Sequence, residues 1–137
     1  NPAHRKNLQV ISTFTARVTQ IKELQPSDSV GYGRAFVARE PCTVATISVG
    51  YADGFRRSLG NGIGQVAIRG QVYPTVGRIC MDMSMVNVTG GAVAVGDEVE
   101  IWGSTLDLYA VAQQMQTIPY EVLTGISQRV KRVYVAE

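Results

Sequence analysis

From Val10 to about Leu24 the chain alternates. Ile11, Thr13, Thr15, Arg17, Thr19 and Ile21 fall on one side, and Val10, Phe14, Ala16, Val18 and Gln20 largely on the other. A period of two over so many β-branched residues predicts a long strand. Pro26-Ser27-Asp28 supplies the turn chemistry that ends it. Ser29 to Ala38 reads as a second strand. Thr43 to Val49 is a third, nearly all apolar or β-branched and so buried on both faces. Leu59 to Gly64 is too rich in glycine for regular structure and is expected to be a mobile loop. Gln65–Ile68 and Val72–Val76 form a hairpin around Arg69-Gly70, with Pro74 marking an edge or a bulge. Met83–Val88 continues the strand pattern, and Gly96-Asp97 turns the chain into a strand that ends near Trp102.

The period changes once. Leu108, Val111, Ala112 and Met115 recur at helical spacing, with Ser104 and Asp107 placed for an N-cap box. Residues 117–123 predict a second short helix with Pro119 at its first position, stopped by Thr124-Gly125. Arg129 to Val135 alternates again and reads as a last strand. Many short strands and two short helices predict a mostly-β barrel or sandwich, in one domain spanning residues 1–137.

Composition adds little to this and excludes more. A net charge of +2 with scattered basic residues argues against a nucleic-acid partner. No run is apolar enough to span a bilayer, and the first six residues lack a signal core. Cys42 and Cys80 match no metal or disulfide spacing and are expected to be reduced, in a cytoplasmic setting. The single histidine, His4, sits near the terminus, which leaves no His-centred triad or zinc site. Arginines outnumber lysines ten to three. That suits planar recognition of carboxylate or phosphate, and ordinary surface charge accounts for it equally well.

Three stretches do not belong to an ordinary strand. Gly77-Arg78-Ile79-Cys80-Met81-Asp82 sets a cation and an anion around three apolar side chains. Gly31-Tyr32-Gly33 and Gly50-Tyr51-Ala52-Asp53-Gly54 each flank a tyrosine with glycines, which lets backbone approach something closely. The three are expected to converge on one edge of the domain. A phenol titrates near pH ~10, so a tyrosine serves as a base only where neighbouring cations hold its anion. Tyr32 reads either as such a base or as an edge tyrosine. Arg78 and Asp82 either line a channel for a small zwitterion or pair with each other. Met81 is core by default, with a backbone amide able to donate to a carboxylate. Tyr120, at the start of a helix, either meets a phosphate or packs.

Taken in order, Ser29–Phe36, Gly50–Gly54, Gly77–Asp82 and Ile118–Val122 resemble the C-terminal domain of alanine racemases, as does the segment Val95-Gly96-Asp97-Glu98-Val99. The resemblance runs from about Phe14 to Val135. It implies a pyridoxal-phosphate isomerase that interconverts L- and D-alanine for cell-wall peptidoglycan, as a homodimer. The cofactor's lysine would lie in an N-terminal barrel that this chain lacks, so Lys6, Lys22 and Lys131 are not candidates and the chain alone is expected to be inactive. By motif, Tyr32 is the catalytic tyrosine given to the other subunit's site. The backbone amide of Met81 meets the substrate carboxylate, and Tyr120 is a ligand of the cofactor phosphate. Arg57, Arg78 and Ile118 line the access channel, and Tyr51 and Asp82 belong to the same motifs. Gly31 stands where the family often has serine, and Met83 where it often has glutamine. That leaves room for a substrate such as serine. The competing expectation is a stand-alone β-barrel binding module.

Overall fold

The computed structural model describes residues 11–135. Eight strands form: β1 (Phe14–Leu24), β2 (Ser29–Val30), β3 (Phe36–Val37), β4 (Cys42–Ile47), β5 (Gln65–Ile68), β6 (Gln71–Val76), β7 (Ser84–Asn87) and β8 (Glu98–Trp102). Two helices follow, α1 (Leu108–Gln114) and α2 (Pro119–Thr124). Six strands close into an antiparallel barrel in the order β1-β4-β7-β6-β5-β8, and β2 pairs with β3 in a separate ribbon.

The long first strand makes closure possible. Phe14–Arg17 pair with β8, while Val18–Leu24 pair with β4, with a register shift between Val18 and Gln20. A bulge bends a strand and raises its twist, so one strand can serve both sides of the barrel seam. The predicted alternation holds up to the bulge: Phe14, Ala16 and Val18 are buried, and Thr15, Arg17 and Thr19 are exposed. Val10 and His4 lie outside the described residues.

Two apolar clusters use opposite faces of the same wall. Ala45 and Ile47 of β4, Val86 of β7, Val66 and Ile68 of β5, and Val99 and Ile101 of β8 fill the interior. Val111, Ala112 and Met115 of α1 and Val122 of α2 belong to the same core. Val44, Val76 and Met85 point the other way and join Leu24 and Ala38, with Val30 and Phe36 of the β2–β3 ribbon packed on top. Strand β4 is therefore buried on both faces, as the nearly all apolar or β-branched stretch Thr43–Val49 predicts. The ribbon has a foundation of its own outside the barrel.

Four local expectations change. Ser29–Ala38 is not one strand. It is two short ones around a 3-10 turn at Tyr32–Arg34, because Gly31, Gly33 and Arg34 all take positive φ. Leu59–Gly64 is a series of ordered turns. Leu59 is buried, the Gly64 N–H donates to the Leu59 carbonyl, and the Asn61 N–H donates to the Gly77 carbonyl. The glycines there serve close approach: a Cβ on Gly60 would come within 2.9 Å of the Gly77 carbonyl oxygen. Arg129–Val135 forms no strand. The barrel is closed and offers no edge, and Arg132 instead donates to the carbonyls of Ile126, Ser127 and Val130. Lastly, α1 is capped by Asp107, whose carboxylate accepts from the Tyr109 N–H. Ser104 donates to Glu100 instead. Pro74 pairs with Gln65 of β5, whereas the β6–β7 pairing covers only Thr75 and Val76. The missing N–H of Pro74 thus falls outside that pairing.

Candidate active-site rim

The three glycine-flanked stretches meet. Gly31 and Gly33 sit against the Gly77-Arg78 backbone and the Arg78 guanidinium. A Cβ on Gly31 would reach the Arg78 nitrogen at 3.4 Å, and one on Gly33 would reach Nη1 of Arg78 at the same distance. Gly77, at φ 66°, lies under the Val30 carbonyl. The contact between Gly50 and the third stretch is tighter still: a Cβ on Gly50 would lie 2.3 Å from the Met81 carbonyl oxygen and 2.4 Å from that of Cys80. Only a bare Cα fits there. The close approach lets the Tyr51 N–H donate to the Cys80 carbonyl at 2.9 Å and the Ala52 N–H to the Met81 carbonyl at 3.0 Å. Buried Ser84 donates to the Val49 carbonyl at 2.7 Å and ties the same two stretches from below.

This packing sets where the functional groups point. Tyr32 is 72% exposed, on a turn held by its glycines against Arg78. It lines an open cavity of about 490 Å³ with Lys22, Val44, Cys80, Met83 and Met85. The Met81 side chain is half exposed, so it is not a core methionine. The peptide between Cys80 and Met81 is trans, so its N–H points opposite to the carbonyl that Tyr51 engages. Among the described residues the Met81 N–H has no acceptor.

Charges on the rim divide into two sets. Asp82 does not pair with Arg78. It accepts from Arg129 at 2.6 Å, and Arg129 also reaches Asp53 at 2.7 Å. These two carboxylates raise the Arg129 pKa, the Asp53 hydrogen bond first and then that to Asp82. The guanidiniums of Arg57 and Arg78 have no ion-pair or hydrogen-bond partner among the described residues. Both remain available to an anionic visitor.

Helix α2 is joined to the rim at two points. Gly54, at φ 111°, packs on the Gly125 carbonyl and on Ile126, and Arg56 pairs with Glu121. Thr117 also donates to Glu121. That hydrogen bond first, and the Arg56 guanidinium second, hold the Glu121 carboxyl below the usual carboxylate range. The helix presents Tyr120, 75% exposed, and half-exposed Ile118. Ile118 lines a different groove from Tyr32, shared with Asp107, Tyr109 and Thr117. Tyr51, exposed on its 3-10 turn, is outside the Tyr32 cavity. The chain thus brings Tyr32, Arg78, Met81 and Asp82 onto one packed rim and joins Tyr51 to it through backbone bonds. Tyr120 and Ile118 sit on a neighbouring ledge. Sequence reasoning missed Arg129, since no motif surrounds it and its partners are 76 and 47 residues away.

These features define a closed antiparallel barrel whose exposed tyrosines, free guanidiniums and unpaired amide gather outside the core. A family model described as alanine racemase, C-terminal domain, matches residues 11–134, and the chain belongs to that family. The alanine racemase of Deinococcus deserti is 46% identical over 138 residues, taking in 98% of this chain and 39% of that protein. Alanine racemase 2 of Caldanaerobacter subterraneus subsp. tengcongensis is 41% identical over 134 residues, or 94% of this chain and 34% of that protein. Among solved structures, alanine racemase from Bartonella henselae with covalently bound pyridoxal phosphate superposes with a TM-score of 0.86 at 40% identity. It covers 90% of this chain, which corresponds to 34% of that one. The biosynthetic alanine racemase from Pseudomonas aeruginosa gives a TM-score of 0.90 at 33% identity, over 98% of this chain and 37% of that one. The chain therefore spans between 34% and 39% of the length of these relatives. No helix among the described residues is long and apolar enough to cross a membrane.

Proposed function

We propose that residues 1–137 are the C-terminal domain of a cytoplasmic, homodimeric alanine racemase, and that this domain completes the site of the partner subunit. The observation that carries the reading is the placement of Tyr32. Its side chain is largely exposed, on a glycine-locked turn packed against Arg78, and lines an open cavity with Cys80, the residue before Met81.

Racemisation removes a proton from one face of the α-carbon and returns one on the other. Tyr32 serves one face: its phenolate oxygen takes the proton from L-alanine, and the phenol so formed returns it in the reverse direction. A lysine of the N-terminal barrel serves the other. The Met81 N–H donates to the substrate carboxylate, which orients the Cα–H bond towards Tyr32. Arg57 and Arg78, with Tyr51 and Asp82, give a polar lining that admits a small zwitterion, and Ile118 adds an apolar wall from the neighbouring ledge. The donor set fits the anionic end of pyridoxal phosphate: the exposed Tyr120 hydroxyl can donate to a phosphate oxygen. When bound, pyridoxal phosphate supplies the electron sink that makes the α-proton acidic. The D-alanine formed serves peptidoglycan synthesis.

The test is Tyr32→Phe in the full-length enzyme. Loss of a positioned general base should lower L-to-D turnover by roughly 10²–10⁴-fold while the cofactor absorbance persists. Near-normal turnover would remove Tyr32 from the role. Mixed with pyridoxal phosphate, the isolated chain should develop no stoichiometric protein-bound absorbance, and a specific band would place the covalent anchor in this domain.

A further inference from the structure

The rim holds one residue that touches two of the three glycine-flanked stretches and has no part in the roles above. Arg129 lies in irregular chain after α2. Its Nε donates to Oδ1 of Asp53 at 2.7 Å, and its Nη2 donates to Oδ1 of Asp82 at 2.6 Å. The other oxygen of Asp53 accepts from the Gly50 N–H at 2.9 Å, and so closes the 3-10 turn at Tyr51–Asp53. That turn holds the Cys80 and Met81 carbonyls through Tyr51 and Ala52. Asp82 is the residue directly after Met81. One planar guanidinium therefore fixes the Met81 peptide from both directions, through the turn it hangs on and through the residue that follows it.

The segment carrying Arg129 is itself anchored. The Ser127 N–H donates to the Asp53 carbonyl at 3.3 Å, and the Arg129 N–H donates to Oγ of Ser127. Asp53 is well sheltered, while the Asp82 and Arg129 side chains are about half exposed. Exposed ion pairs add little to stability. The geometric consequence is larger. A planar fork that meets two carboxylates at once sets their separation, which a lysine's single ammonium cannot do.

We propose that Arg129 is a positioning residue for the substrate carboxylate: by bridging Asp53 and Asp82 it aims the Met81 N–H. The inference rests on the function proposed above, in which that amide meets the carboxylate. It assigns Arg129 no contact with substrate or cofactor.

The experiment uses the full-length holoenzyme with Arg129→Gln, Arg129→Lys, Asp82→Asn and the double variant Arg129→Gln/Asp82→Asn. The readouts are KM and kcat for L-alanine, the inhibition constant of acetate as a bare carboxylate probe, and Tm. Misaiming one charged-group hydrogen bond should raise KM and the acetate constant together by about tenfold in Arg129→Gln, with a smaller change in kcat. Arg129→Lys, which can hold one carboxylate but not set the distance between two, should recover Tm but not KM. The double variant should be no worse in KM than Arg129→Gln alone, because both changes break one linkage. If Arg129→Gln lowers Tm and leaves KM and the acetate constant unchanged, Arg129 is only structural and the inference fails. If Arg129→Gln does not fold, Asp82→Asn and Arg129→Lys decide by the same two constants. Tyr32→Phe, run in parallel, separates the premises. Full L-to-D activity in that variant sinks the functional reading, whereas lost activity with unchanged constants at Arg129 sinks only this one.

Discussion

The barrel wall and the rim it carries are built by opposite means. In the wall, side chains do the work. Alternating Val, Ile and Ala fill two clusters on the two faces of β4, β6 and β7, and the backbone follows a regular antiparallel ladder. In the rim, the backbone does the work. Gly50 lets Cys80 and Met81 pass at a distance no side chain allows, Gly31 and Gly33 turn the chain at positive φ, and peptide groups bond to peptide groups across stretches far apart in sequence. The wall tolerates exchange of one apolar residue for another of similar volume. The rim does not tolerate even a methyl group where two backbones touch, so its glycines and its chemistry are bound together.

Perturbations should separate the two regions. The largest effect falls on activity. Tyr32→Phe should lose roughly 10²–10⁴ in L-to-D turnover and leave Tm unchanged, since the side chain is largely exposed on this domain and its hydroxyl has no hydrogen-bond partner among the described residues. A matching fall in Tm would mean that the turn is part of the scaffold. In the wall, Ile47→Ala removes a fully buried side chain and should cost about 2–5 kcal/mol in denaturant unfolding, with KM preserved wherever the protein remains folded. Gly50→Ala touches both regions, with a smaller effect on each. Forcing two carbonyl oxygens from within 2.4 Å of a new Cβ should cost about 1–3 kcal/mol and also raise KM, because the displaced segment carries Met81. A stability loss with no change in KM would detach Gly50 from the site.

The smallest effect is with pH. The Glu121 carboxyl is held below its usual value by the Thr117 hydroxyl and then by Arg56. Asp97 is held low by Arg69 and then by the Ala94 N–H. A carboxyl whose pKa is lower folded than unfolded contributes stability in full above its unfolded value. That contribution fades as pH falls from there through the folded value. Glu121 is about half exposed, so its share of the loss should be slight. Melting curves from pH 7 to about pH 3 should show a shallower acid decline in Glu121→Gln than in the parent. An identical decline would show that the link between α2 and Arg56 does not contribute.

Much of the wall was legible in the chain itself. The period-two run from Phe14 to Val18, the doubly buried β4, the Arg69-Gly70 hairpin and Pro119 opening α2 each follow from local preference agreeing with burial. Glycine-rich stretches were harder to read, because glycine marks both looseness and close contact. Leu59–Gly64 looked mobile and is packed, while Ser29–Ala38 looked extended and is broken by positive φ at Gly31 and Gly33. The alternation in Arg129–Val135 misled for another reason: a strand needs an edge to pair with, and closure had already used every edge of the barrel.

The residues alone determined the mostly-β class, the three tyrosine- and arginine-bearing stretches and their family resemblance, since these depend on local periodicity and on residue identity. Tertiary structure decided that those stretches touch, that Asp82 pairs with Arg129 and not with Arg78, and that the Met81 N–H is left without an acceptor. These outcomes depend on which distant backbones come within hydrogen-bond reach, and separation along a chain carries no information about that until the barrel closes.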